Sequence, residues 1–241
     1  QKTAYNQLID HPRYNWQFRP GRSQGSACVS DDFVESCRLW VFASVENSEL
    51  EKSELYKTDV IEASCQLASI KLEKICKRMI ESFERGDKLQ ASYCFSFFDN
   101  LIHMIDNILE SHANLRLNEW LYLAEKMAGN NEEMKKHYKE NGRYIITLWA
   151  DEPGNQLSDY AAKLWGGLLR DYYFHRWEIW FNEKMLDKDQ KEINDDVHKF
   201  ESGYRYESDL SRAPMPKNIF KACRDLVTFA DSIDLENFEW K

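Results

Sequence analysis

No proline occurs between Pro20 and Pro153, and from Val29 to Asp151 the only glycines are Gly86, Gly129 and Gly142. A β-sandwich or β-barrel needs turn residues roughly every 8–12 positions. A stretch this long without them folds as long helices. The 241 residues are 43% hydrophobic and 14% aromatic, which is enough apolar material for a sizeable core and excludes disorder for most of the chain. At about 150 residues per domain, the length corresponds to one large domain or two small ones. The expected fold class is all-α, an irregular bundle of about seven to eight helices with no alternating strand–helix pattern.

The balance of 32 Lys and Arg against 41 Asp and Glu gives a net charge of −9. Such a chain repels phosphate backbones, so no nucleic-acid partner is expected. No apolar run approaches the ~18 residues of a membrane-spanning helix, so no membrane partner is expected either. The six cysteines, Cys28, Cys37, Cys65, Cys76, Cys94 and Cys223, include no CxxC pair. A disulfide framework is not indicated, and Cys65 and Cys76 read as buried free thiols on helices.

Residues 1–30 lack periodicity and carry Tyr14, Trp16 and Phe18. They read as a connecting arm whose aromatics dock elsewhere. Ser30-Asp31-Asp32 is an N-cap followed by first-turn acids, with Phe33, Cys37, Trp40, Val41 and Val45 as an apolar stripe. Thr58 reads as the cap of a second helix ending at Gly86. Further helices are expected over about 88–111, 115–128, 132–148, 187–202 and 217–233. Ser158-Asp159 reads as the cap of a long aromatic helix reaching about Met185. Gly166-Gly167 inside that helix would cost about 1 kcal/mol each against Ala, a cost that makes sense where another backbone or ring comes close.

The chain carries no GxSxG, P-loop or GxGxxG, so the mechanistic motifs for acyl, phosphoryl and dinucleotide chemistry are absent. No Glu-x-x-His pair occurs, and Asp195-x-x-His198 stands alone on a polar helix. No metal site and no cofactor are expected. His103, between Ile102 and Met104, reads as a partly buried, satisfied side chain. Trp149 ends a helix and begins a loop, where an indole face suits a sugar ring or, alternatively, the core.

The run from Ile146 to Trp180 closely resembles the C-terminal helical domain of the α-N-acetylglucosaminidases, glycoside hydrolase family 89. That family carries a T-L-W run, a short loop, a D-Y-A-x-K-x-W-x-G-L helix and a D-Y-Y-x-x-R-W motif. Here these are Thr147-Leu148-Trp149, the stretch Asp159 to Leu168, and Asp171-Tyr172-Tyr173-Phe174-His175-Arg176-Trp177. Tyr56 to Ile61 resembles the family's Y-x-x-D-L-V helix start. Ala4-Tyr5-Asn6 with Arg19-Pro20 looks like the hand-over from a catalytic barrel. The resemblance spans about residues 4 to 185. Where the family has Gly-Pro after the T-L-W tryptophan, this chain has Ala150-Asp151-Glu152-Pro153, so its loop is longer.

The resemblance implies residues 1–30 as the arm arriving from a (β/α)8 barrel and 31–241 as an α-helical C-terminal domain. The full enzyme would remove terminal α-linked N-acetylglucosamine from glycans, with this domain forming part of the cleft wall. Hydrolysis needs two carboxyl groups flanking the scissile bond, and the family takes both from the barrel. No catalytic residue is therefore expected here, and the chain alone is expected to be inactive. Trp149 and Tyr160, and more weakly Leu157, are the expected substrate-cleft residues. Arg143 and Arg176 are expected to support the loop and helix structurally. The expected partners are the upstream barrel and a terminal N-acetylglucosamine, and the whole protein is expected to be exported to a periplasmic, extracellular or lysosomal setting. The alternative is a freestanding helical module that binds carbohydrate or protein.

Overall fold

Ser30 caps the first helix, α1 (Asp31–Glu46), where its side chain accepts from the Phe33 N–H and the acids Asp31 and Asp32 face the positive end of the helix dipole. The computed structural model describes residues 15–17, 19–20, 29–149, 158–159, 161–207 and 215–235. Among them are eight α-helices and no β-strand, only an isolated parallel bridge between Arg116 and Gly166. The fold is all-α. The chain divides into two compact units.

The first unit contains α1, α2 (Glu54–Glu84), most of α3 (Lys88–Leu109) and α8 (Ile219–Ser232). Its long helix α2 starts five residues earlier than expected. Ser53, not Thr58, is its cap and accepts from the Tyr56 N–H. Thr58 lies within the first turns and returns its hydroxyl to the Glu54 carbonyl (3.0 Å), a hydrogen bond open to a threonine inside a helix as much as at its start. From Val60 to Ser69 nearly every residue of α2 is buried, a stretch rich in Ala, Ser and Cys that lets neighbours approach on several sides. Tyr56 ties the unit together. Its ring stacks on Phe220 (5.8 Å) and meets Trp40 edge-on (5.3 Å). Its hydroxyl donates to the Trp40 carbonyl (2.9 Å) and accepts from the Ser44 N–H (3.0 Å). On α1 the buried stripe is Phe33, Cys37, Val41 and Ser44, while Trp40 and Val45 are exposed. Those two sit beside the buried face rather than within it.

Cys37, Cys65, Cys76, Cys94 and Cys223 are buried free thiols, and Cys28 lies outside the described residues. Burial pushes Cys37 and Cys223 up to about 11, so neither supplies a reactive thiolate at neutral pH. His103 is exposed rather than partly buried, with Nδ1 at 3.1 Å from the Asp99 carbonyl. The apolar neighbours Ile102 and Met104 do not bury it, because position 103 lies on the outer arc of α3.

The second unit holds α4 (Leu117–Lys126), α5 (Glu132–Thr147), α6 (His175–Met185) and α7 (Gln190–Tyr204). Asn131 caps α5, and α5 runs through Glu140-Asn141-Gly142 without a break. Asp189 and Glu192 form a reciprocal capping box at the start of α7. The long helix expected from Ser158 is not there. Residues 162–165 are irregular, Gly166 bridges to Arg116, and helical structure begins only at Leu168. It opens with a π-helical turn, Leu169–Phe174, before α6. The reason lies at Gly166. Its N–H donates to the Leu115 carbonyl (2.7 Å) and its carbonyl accepts from the Leu117 N–H (3.0 Å). A β-carbon there would sit 2.9 Å from the Glu110 backbone nitrogen. The close backbone approach expected at the glycine pair is present, but it draws these residues out of a helix instead of occurring within one. Gly167 follows with φ +83°, a left-handed conformation that glycine adopts without strain.

Candidate functional site

Trp149 directly follows Leu148, the C-cap of α5. Its N–H reaches back to the Tyr144 carbonyl (2.9 Å), a closing bond of the kind that ends a helix. Its φ is +53°, which is unfavourable for a bulky residue. The indole is 45% exposed. On the far side of residues 150–157, the Asp159 N–H donates to the Thr147 carbonyl (2.7 Å). Asp159 (φ +63°) and Ala162 (φ +40°) are also left-handed. Three such non-glycine residues within fourteen positions persist only where the surroundings over-determine them.

The surroundings are a buried charge cluster. Arg176 on α6 is fully enclosed, and its Nη1 donates to Asp159 Oδ2 (2.9 Å) and to Glu201 Oε1 (2.9 Å). Its Nη2 donates to the Gln17 carbonyl (3.0 Å). The guanidinium lies over the Tyr172 ring at 4.4 Å and near that of Tyr173 at 5.3 Å. Glu201 Oε2 in turn lies 3.7 Å from Arg19 Nη1. Burial opposes the Arg176 charge, but its anionic surroundings, Asp159 foremost and Glu201 among the rest, outweigh it, and Arg176 stays above the ordinary guanidinium range. Burial pushes Glu201 up, Arg176 pulls it down, and the Asp159 charge adds to the rise; the net direction is up. Burial likewise holds the Tyr172 phenol well above its usual value, so it stays a neutral ring beneath the cation.

The structure brings two of the expected site residues, Trp149 and Arg176, into this one arrangement through Asp159. Arg143 is buried on α5, and its Nη1 donates to the Glu207 carbonyl (2.6 Å), just past α7. Tyr160 and Leu157 lie outside the described residues. Sequence reasoning missed Asp159 as an ion-pair partner, named Arg19 only as part of the hand-over segment, and missed Glu201 and Gln17 altogether. A signal existed for Glu201, which continues the buried stripe of Ile193 and Val197 on α7. A carboxylate on an apolar stripe needs a buried cation. The aromatics of this region are mostly core: Tyr172, Tyr173, Phe174, Trp177, Trp180 and Phe181 are buried. Trp120 is partly exposed and stacks on Trp165 at 5.4 Å.

Comparison with known proteins gives the family. Residues 3–228 match the model of the α-N-acetylglucosaminidase (NAGLU) C-terminal domain. Human α-N-acetylglucosaminidase is 37% identical over 101 residues, 42% of this chain and 13% of that protein. A family 89 glycoside hydrolase from Clostridium perfringens, solved in complex with 2-acetamido-1,2-dideoxynojirmycin, has a TM-score of 0.78 at 20% identity, covering 96% of this chain and 30% of its own. The same enzyme in complex with PUGNAc gives 0.74 at 20% identity, covering 92% and 28%. These structures share the fold. The chain spans 13% of the curated relative and less than a third of the solved chains. It belongs to the α-N-acetylglucosaminidase (NAGLU) C-terminal domain family.

Proposed function

We propose that this domain forms one wall of the substrate cleft of an α-N-acetylglucosaminidase whose two carboxyl groups reside on a (β/α)8 barrel outside these 241 residues. The observation that carries the reading is Trp149, a half-exposed indole in a left-handed turn, tied by the Thr147–Asp159 bond to a buried ionic cluster. A ring held this firmly at a surface is costly unless its exposed face has work to do. Stacking against the apolar face of a sugar ring is the work that an indole suits best. Tyr160 and Leu157 are the further substrate-cleft residues in this reading, and Arg143 and Arg176 are the structural support. The substrate is a glycan ending in α-linked N-acetylglucosamine, the partner is the barrel, and the whole protein acts after export. No helix among the described residues is long and apolar enough to cross a membrane.

The mechanism assigns this chain no proton transfer and no nucleophile. Its part is to present a rigid apolar face, to exclude water there, and to orient the terminal sugar against the barrel's acid/base and nucleophile. Two measurements test this. The purified 241-residue chain is expected to show no turnover of an aryl α-N-acetylglucosaminide, and measurable hydrolysis would overturn the division of labour. In the full-length enzyme, Trp149→Ala is expected to raise KM about tenfold with a smaller change in kcat, the signature of lost uniform binding. An unchanged KM would remove Trp149 from the cleft and favour a binding role elsewhere on the domain.

A further inference from the structure

Glu201 is a buried carboxylate flanked by two cations from different parts of the chain. Arg176 comes from α6, and Arg19 from the segment that precedes α1. Arg19, Glu201, Arg176 and Asp159 thus alternate in sign along one line of contacts, and their formal charges cancel. The two middle members and Asp159 have fully buried side chains, whereas Arg19 keeps 14% exposure. Gln17 adds two neutral ties, accepting from Arg176 Nη2 and donating its Nε2 to the Ala162 carbonyl (3.3 Å). At the far end, two bonds hold the left-handed Asp159: the carboxylate bond to Arg176 and the N–H bond to Thr147, two residues before Trp149.

We propose that Glu201 is a positioning residue for Trp149, acting through Arg176 and Asp159, and that Arg19 couples the incoming arm to the same line. The inference rests on the cleft reading of Trp149 and extends it to residues that touch no sugar. The physical argument is one of charge sharing. Arg176 Nη1 divides its hydrogen bonding between two carboxylates, so its place is fixed by both. If Glu201 loses its charge, the buried line carries a net positive charge, and Arg19 and Arg176 lose the anion between them. Arg176 then shifts towards Asp159 or towards the Gln17 carbonyl, and the strained turn that carries Trp149 relaxes with it. Displacements of about 1 Å in a binding group are enough to cost large factors in turnover efficiency.

The test is a double-mutant cycle in the full-length enzyme with an aryl α-N-acetylglucosaminide. Glu201→Gln keeps the shape and one acceptor but removes the charge. It is expected to raise KM about fivefold, with kcat within about twofold, and to leave the far-ultraviolet circular dichroism unchanged. In a Trp149→Ala background the same substitution is expected to change KM by less than about twofold, because the group it positions is gone. Glu201→Asp is expected to recover part of the loss. If Glu201→Gln does not accumulate as folded protein, Arg19→Gln at the solvent edge carries the same cycle. If Trp149→Ala raises KM and the Glu201 or Arg19 effect is absent or simply adds to it, the coupling is overturned while the cleft reading stands. If Trp149→Ala leaves KM unchanged, the cleft reading fails first and the positioning role falls with it.

Discussion

Replacing Arg176 with Met is expected to cost the domain about 3–5 kcal/mol, the range for removing one partner of a buried ion pair. Methionine fills much of the same volume, so the loss comes from charge and not from a cavity. Asp159 and Glu201 would be left buried without their shared cation, and the Gln17 carbonyl would lose its donor. The deficit should depend on pH. Glu201 already lies above the usual carboxylate range because of burial, with Asp159 adding to the rise. Without Arg176 it rises further. A carboxyl group raised in the folded state holds more protons than the unfolded chain between its ordinary and its folded value. Its contribution is therefore full below the ordinary value and is lost as pH climbs through the folded one. Urea unfolding of the variant should accordingly show a smaller deficit at pH 5 than at pH 8. A loss under about 1 kcal/mol at pH 8, typical of an exposed pair such as Lys52–Glu49, would show that the cluster carries little of the fold.

Gly166→Ala is expected to destabilise by about 1–3 kcal/mol, as overpacking does in a close-packed region. The added methyl would meet the Glu110 backbone nitrogen at 2.9 Å and its Cγ at 3.0 Å. Backbone cannot swing aside as a flexible side chain can. Moving it would also stretch the paired bonds of Gly166 to Leu115 and Leu117. Gly142→Ala is the informative control. There the new methyl meets only the end of the Leu121 side chain, at 3.1 Å, and alanine in the middle of α5 regains helix propensity worth about 1 kcal/mol. Thermal melts of the two variants should separate clearly, with Gly142→Ala near the parent and Gly166→Ala below it. Equal melting temperatures would mean that the Arg116–Gly166 bridge yields easily.

Much of the helical layout was legible because local signals agreed with packing. Ser30 before two acids, the glycine stop at 86 and the apolar stripes of α2 and α3 all speak within one or two turns of chain. The misreadings share a cause. Thr58 and Ser53 are both plausible caps, and only the packing of Tyr56 against Phe220 and Trp40 selects the earlier start. Residues 161–167 carry helix-forming Ala, Lys and Leu, yet they stay irregular because Gly166 pairs with a backbone some fifty positions away. No local window contains that partner. Within the candidate site, Trp149 and Arg176 could be named because they stand in the family's motifs. Glu201 could not, although its place on an apolar stripe was visible. Its meaning depends on Arg176 and Arg19, which lie far from it in sequence and are joined only by folding.

The π-helical turn at Leu169–Phe174 has a genetic consequence. A π turn holds one residue more than the α-helix would over the same span. Loss of a single codon there would keep the reading frame, spare every motif residue after it and improve the regularity of the helix. Because the shortened α-helical turn would cover the same span, α6 would keep its direction and Arg176 would still face Asp159 and Glu201. A lineage could thus lose or regain that triplet while its cation stays turned towards the same two carboxylates, whereas a triplet lost from the regular α-helix of α6 would rotate every residue after it by about 100°.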